Sequence, residues 1–442
     1  MAAIVEPIWD LKERSVRLKN YKRLLRSQWY SSDRLQEMQA ARLRELVVHA
    51  AETTPFYTSR FAETGIDPKQ VGTIADLKDL PILTKSDVRN SQADLFSRDF
   101  ERKNLIRAKT GGSTGVALEV FCDRRGVQKR AGAALRADRW SGWRLGQPIA
   151  AVWGNPPAVK TWRNKLRSAL KDRIIYLDTM RIDAAAIDRF ITEWKQLRPG
   201  LLYGHAHSLY ILAEFLASKG TAIKPSGIVA TSMMLLQTER EVIEKTFGLP
   251  VTNRYGCEEV SLIACECEVH HGMHINAEHV IVEFLKDDGT PCQPGEDGQL
   301  VVTELVNYGM PMIRYAVGDR GITTDRSCSC GRGLPLMESI TGRTADFLIA
   351  EDGSRVAGIS LIENTLTALP GIKQLQLIQE DHMRLDVHLV STPDYDDTVE
   401  CDLVSQLKQA LGQDFEIVIH KVKRISQDSS GKYRFSICRI RE

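Results

Sequence analysis

From Pro148 to Gly220 the chain alternates short apolar runs with stretches of helical periodicity, and this alternation narrows the possible folds more than any other feature. Ile149-Ala-Ala-Val-Trp153 and Ile174-Ile-Tyr-Leu177 read as buried strands. Leu209, Leu212, Ala213 and Leu216 then recur at helical spacing behind Ser208, up to Gly220, a residue suited to ending a helix. Strand followed by helix, repeated, predicts an α/β fold.

The flanking regions differ. Leu35, Met38, Leu43, Leu46, Val47 and Ala50 lay one apolar face along a helix from Asp33 to Ala50, with Asp33 as its cap and Gln36 three residues on. The basic stretch Leu11 to Arg26 reads as a further helix, and its charges suit a solvated face or a dimer contact better than a membrane surface. Between about Met273 and Val306 the texture turns to β: His274 to Phe284, a turn at Asp287-Asp288-Gly289, then Gln299 to Val306. A smaller module follows from about residue 347. Its helix near Ser360 to Leu369 stops at Pro370; strands at Lys373 to Gln379 and Met383 to Leu389, a helix at Val399 to Leu411 and a last strand at Phe415 to Lys421 follow. That order suits a small sheet packed on two helices.

Composition excludes several classes. The 442 residues hold 59 Lys plus Arg against 57 Asp plus Glu, which argues against a surface built for nucleic acid. With 43% hydrophobic and 26% charged residues the chain reads as globular, and its length suggests two to four domains. No apolar run approaches the ~18 residues that span a bilayer, and the N-terminus lacks the apolar core of a signal peptide. The expectation is a cytoplasmic protein without membrane insertion. Nine cysteines, an odd count, favour free thiols or metal ligands over a disulfide framework in that compartment.

Thr110-Gly-Gly-Ser-Thr-Gly115 is the most informative short stretch. Glycines let a backbone approach an anion closely and turn its N–H groups toward it, and hydroxyls add donors. No Gly-Lys-Ser/Thr follows, so this is not a Walker A loop. Alone, such a run also suits a surface turn. Downstream stand Tyr255-Gly-Cys-Glu-Glu259, Arg314-Tyr-Ala-Val-Gly-Asp319, Gly342-Arg-Thr-Ala-Asp346 and Ser429-Ser-Gly-Lys-Tyr-Arg434.

In this order and at these separations the set resembles the adenylate-forming (AMP-binding) superfamily, and within it the phenylacetate-CoA ligase and CapK-type subgroup. Thr54-Pro-Phe-Tyr57 and Leu80-Pro-Ile-Leu-Thr-Lys85 add to the resemblance, which runs from about residue 30 to the C-terminus. It implies a large N-terminal domain over 1–346 with α/β sheets and a β-rich subdomain, then a small mobile α+β domain over 347–442. It also implies that Thr110, Gly111, Gly112, Ser113, Thr114 and Gly115 cradle the phosphates of ATP, with Tyr255 and Gly256 at the adenine. Asp319 would then accept the ribose hydroxyls, Arg343 would donate in a fork to ribose or phosphate, Glu259 would be a Mg²⁺ ligand and Lys432 the adenylation lysine. A lysine there stabilises the charge crowded around phosphorus and need not move a proton. Taken singly, Asp319 reads as a turn residue beside Gly318, Tyr255 as a core aromatic and Lys432 as a surface lysine. Two departures stand out: Val116 and Ala117 replace the Pro-Lys common after the loop, and Glu258 stands where Ser or Thr is usual.

Cys267-Glu-Val-His270 and Cys328-Ser-Cys330 supply three thiolates and an imidazole, a set suited to tetrahedral, structural zinc. Spacing alone leaves Cys265, Cys257, His271 and His274 as alternative ligands, and reduced cysteines beside a surface histidine as the plainer reading. Cys257 as a nucleophile finds no partner base in its motif.

The expected activity is ATP-dependent activation of a carboxylic acid, followed by transfer to coenzyme A, with the hinge near Asp346 turning the C-terminal module between steps. Transfer to an amine and a nucleotide-binding protein without turnover are the alternatives. Tyr203, His205, Met233 and Met234 are candidates to line a pocket for an aryl or other apolar acid, or else ordinary core. A homodimer would cover exposed faces of so short a chain.

Overall fold

The computed structural model describes residues 2–109, 118–153, 171, 173–179, 184–343, 347–353, 355–426 and 434–440. Three helices, Ala2–Lys12, Arg17–Ser27 and Ser32–Thr53, open the chain. The basic stretch therefore folds as two helices, broken where Arg14 takes a left-handed φ of 49°. The third starts earlier than the apolar pattern indicates: the Ser31 side chain, not Asp33, accepts from Arg34 N as its cap.

Ile106–Lys109 (β1) and Glu119–Cys122 (β2) form an antiparallel hairpin with Lys109 opposite Glu119. The main sheet begins with Ile149–Trp153 (β3), Ile174–Asp178 (β4), Leu201–His205 (β5), Gly227–Thr231 (β6) and Val251–Cys257 (β7). It continues through Ser261–Cys265 (β8), Met273–Ile275 (β9), Val280–Leu285 (β10), Asp297–Glu304 (β11), Tyr315–Thr323 (β12) and Leu336–Arg343 (β13). These eleven strands lie in the order β10-β11-β12-β13-β9-β8-β7-β6-β5-β3-β4. Pairing is parallel from β4 to β7 and antiparallel from β7 to β10.

Helices Ala184–Leu197, Ala206–Ser218 and Gln237–Phe247 connect the parallel strands. Leu209, Leu212 and Ile243 meet Leu202, Ile228 and Val251 in a single cluster, all six at 0% exposure. Each such side chain contributes about 2 kcal/mol of burial, and a strand buried on both faces reads as a continuous apolar run, as Ile149–Trp153 does. Ser208 lies inside the Ala206–Ser218 helix, which His205 precedes as cap position.

Beyond β13 the chain builds a second body. Phe347–Ile349 (β14) pairs with Arg355–Ala357 (β15). Ile372–Asp381 (β16), Arg384–Ser391 (β17), Glu416–Lys421 (β18) and Ser436–Cys438 (β19) form a sheet in the order β18-β17-β16-β19, with helices Gly358–Ala368 and Asp397–Leu411 against it. Glu416–Lys421 is thus not the last strand. β19 runs parallel to β16, pairing Leu377 with Ser436. Only three residues long, it has too little alternation to be read from the sequence.

Candidate active site

Tyr255 lies near the carboxyl end of β7, where the sheet changes from parallel to antiparallel pairing. The carboxyl ends of parallel strands at such a switch point are where α/β sheets bind ligands. The Tyr255 hydroxyl donates to Asp319 Oδ2 at 2.7 Å. Asp319, on β12, is in turn the cross-strand partner of Arg343 on β13. The Leu80–Lys85 stretch braces that strand: Leu83 N donates to Arg314 O at 2.9 Å and Ala316 N to Leu83 O at 3.0 Å.

Gly256 sits at a bulge between β7 and β8, and a Cβ there would stand 2.3 Å from Ser261 O, so no larger residue fits. Just beyond, Glu259 is buried, and its Oε1 accepts from the Tyr315 hydroxyl at 3.0 Å. Arg130, on the Arg124–Trp140 helix, fixes the backbone of this turn by donating to Glu259 O at 2.8 Å. Its other donors fork onto Glu304, at 2.7 and 2.6 Å. Nothing in the sequence links positions 130 and 304, and this support escapes a linear reading. Burial, then the Glu259 carboxylate, push the Cys257 thiol well above its ordinary value. A thiol so held stays protonated at neutral pH, against a nucleophilic role.

Tyr203 and His205 lie on one face at the carboxyl end of β5 and share the Trp153 ring, stacked on Tyr203 at 5.2 Å and tilted on His205 at 4.2 Å. The Arg254 guanidinium lies 4.7 Å from the Tyr203 ring centre and pairs with Asp138 at 2.7 Å. Trp153 and Arg254 carried no signal of this in the sequence. Met233 packs against both the helix-and-strand core and the second body, and Met234 packs against the second body.

Thr110–Gly115, Asp346 and Lys432 lie outside the described residues, as does the Arg343 side chain. What flanks them is placed. β1 and β2 bracket the Gly-rich stretch, and Arg434, two residues after Lys432, is held through its carbonyl by the Gln376 amide at 2.5 Å.

Cys267, His274, Cys328 and Cys330 bring one ligand atom each within 4.8 Å of one another. His270, the histidine favoured by spacing, is not among them: it takes a left-handed φ of 58° and turns Nδ1 to Glu266 at 3.1 Å. His274 replaces it because β9 pairs with β8 and β13, which carries the residue into the cluster. Its Nδ1 faces Leu334 O at 3.3 Å and its Nε2 faces Cys330 Sγ at 3.3 Å. A proton on Nδ1 leaves the Nε2 lone pair for a metal.

The donor set fits zinc. Cys267 and Cys328 Sγ stand 3.7 Å apart, and two thiolates ~2.3 Å from a tetrahedral zinc are separated by ~3.8 Å. Burial holds the His274 imidazole down at about 4, neutral as a ligand must be. Burial pushes Cys267 up to about 12, whereas at Cys330 burial is outweighed by the Arg332 N–H and guanidinium, which hold the thiol below its ordinary value. Four protein donors leave no open position, so such an ion would be structural, clipping the 328–334 loop to β8 and β9. At Gly333 that loop also donates to Gln28 O at 3.0 Å, and a Cβ there would stand 1.8 Å from Tyr30 O.

Residues 348–439 match the CapK C-terminal domain family. The chain is 26% identical over 352 residues to phenylacetate-coenzyme A ligase of Thermus thermophilus, covering 77% of each protein. It is 22% identical over 418 residues to Protein CapK of Staphylococcus aureus, covering 92% of this chain and 89% of that one. Among solved structures, 2-hydroxyisobutyryl-CoA ligase in the postadenylation state with R3-HIB-AMP superposes with a TM-score of 0.76 at 19% identity, covering 93% of this chain and 90% of that one. The same enzyme with 2-HIB-AMP and CoA in the thioesterification state gives 0.63 at 18% identity, over 94% and 92%.

In fold the chain is similar to adenylate-forming CoA ligases. The sequence relatives and the CapK C-terminal match support the phenylacetate-CoA ligase and CapK-type subgroup, and with it an AMP-forming acid–CoA ligase.

Proposed function

We propose that the chain activates an aryl or other small apolar carboxylic acid with ATP and passes the acyl group to coenzyme A. A carboxylate oxygen attacks the α-phosphorus, the bond to the β-phosphate oxygen breaks and pyrophosphate leaves. The coenzyme A thiolate then attacks the acyl carbon and AMP leaves. One observation carries this reading: the Tyr255 hydroxyl on Asp319, with Arg343 as the cross-strand neighbour of Asp319, at the switch point of the sheet.

In this reading the Thr110–Gly115 stretch takes the phosphates, Tyr255 and Gly256 the adenine, and Asp319 and Arg343 the ribose and its phosphate. Tyr203 and His205 face the acid. Met233 and Met234 would line it from the junction of the two bodies. Glu259 would hold magnesium, which when bound offsets charge on the phosphate oxygens. The Cys267, His274, Cys328 and Cys330 set would hold zinc. The domain boundary falls at 346/347, with Asp346 as hinge, and the cytoplasm is the compartment, where free thiols persist.

The test is a panel of carboxylic acids in a pyrophosphate-release assay, with products identified by mass. Lys432→Ala is expected to suppress pyrophosphate release while sparing thioester formation from a supplied acyl-adenylate. No release with any acid would overturn the reading. The match of residues 348–439 to the CapK C-terminal domain family favours a second reading, transfer to an amine, which an amide product in the same assay would establish.

A further inference from the structure

β16 does two jobs with neighbouring residues. Gln376 holds the backbone at Arg434, next to the segment that carries Lys432, and Leu377 N donates to Phe435 O at 2.8 Å. Gln374, on the same face two residues earlier, points its amide nitrogen at His207 Nε2 of the N-terminal body, 2.9 Å away. Lys373, at the irregularity between Ile372 and Gln374, pairs with Glu214 at 3.1 Å.

The His207 ring is set for this contact. It is 2% exposed and its Nδ1 is hydrogen-bonded to the Glu239 carboxylate. Glu239 engages Nδ1 and the Gln374 amide engages Nε2, so both ring nitrogens of this buried imidazole are held. Phe435 packs edge-on against the same ring at 5.4 Å, and Leu236, 2% exposed, inserts into the core of the C-terminal body. The contact therefore runs from Glu239 through His207 to β16, and from β16 to the backbone beside Lys432.

We propose that His207, oriented by Glu239, and Gln374 are positioning residues that hold the C-terminal body where Lys432 serves adenylation. This rests on the function proposed above. The whole-chain likeness agrees: the TM-score is 0.76 against the postadenylation-state ligase and 0.63 against its thioesterification-state structure, over similar shares of this chain. For acyl transfer the His207–Gln374 bond must part, and water takes over both partners.

Gln374→Ala and His207→Ala are each expected to slow pyrophosphate release about tenfold, with thioester formation from a supplied acyl-adenylate unchanged or faster. The double variant is expected to be no slower than either single one. At the rim, Lys373→Glu is expected to give a smaller loss that Glu214→Lys restores. Equal loss in both half-reactions, additive losses or no loss in variants that melt like the parent would overturn the proposal. Small-angle X-ray scattering without ligands separates this from failure of the function itself. Gln374→Ala should widen the distribution of domain arrangements, and an unchanged profile would count against the positioning contact even in a chain that activates no acid.

Discussion

Tyr255 and Asp319 are joined by a 2.7 Å hydrogen bond across a sequence separation of 64 residues. The donor lies on β7 and the acceptor on β12, strands that are not neighbours in the sheet. The bond fixes the carboxylate beside the backbone of Arg343, so under the proposed function that acid would need no rearrangement to accept ribose hydroxyls.

Removing that bond should weaken nucleotide binding without abolishing chemistry. Tyr255→Phe keeps a ring for adenine and is expected to raise the KM for ATP several-fold, about 1 kcal/mol. Asp319→Asn should raise it about a hundredfold, since a ribose acceptor becomes a donor. Initial rates against ATP concentration decide; an unchanged KM in both variants would separate this pair from the nucleotide.

The Arg130–Glu304 fork is buried, with Glu304 at 0% exposure. Arg130→Met leaves that carboxylate unpaired and is expected to cost about 3–5 kcal/mol of stability. Urea unfolding reads this directly. A second consequence is loosening of the Tyr255–Glu259 turn, because Arg130 also holds Glu259 O. Arg130→Met paired with Glu304→Leu should regain most of the stability but not the activity.

Elemental analysis of purified protein should find about one zinc per chain, since four protein donors make a closed site. His274→Ala and Cys330→Ser should lose it, while His270→Ala keeps it. Retention in His274→Ala together with loss in His270→Ala would restore the choice made from spacing.

Thiol reactivity offers a fourth check. Burial and Glu259 hold Cys257 protonated, so iodoacetamide at pH 8 should leave it unmodified while exposed Cys401 reacts. Raising the pH toward 9 should not bring Cys257 into reaction, because its folded value lies well above the ordinary 9.0. Cys257→Ser should retain turnover.

Much of the fold is legible because its residues report a local condition. Ile149–Trp153 is bounded as a strand by Pro148 and by its own continuous apolar character, and the structure places β3 over the same five residues. Asp397–Leu411 buries Val399, Leu403, Leu407 and Leu411 at helical spacing, which a single stretch of sequence displays. Errors fall at caps and at the short β19, where one side chain or a distant partner decides.

The site divides along the same line. Tyr255, Asp319, Arg343 and the cysteines were named from linear motifs, because each motif must carry its own backbone geometry. The sequence by itself determined the α/β class, the β-rich region, the second body and the residues eligible for nucleotide and metal. Tertiary structure alone decided that His274 rather than His270 joins Cys267, Cys328 and Cys330, that Arg130 serves both Glu304 and Glu259, and that His207 meets Gln374. The reason is physical: strand register and helix packing set which side chains share a space of a few ångströms, and a linear spacing rule has no access to partners that the fold brings together from distant parts of the chain.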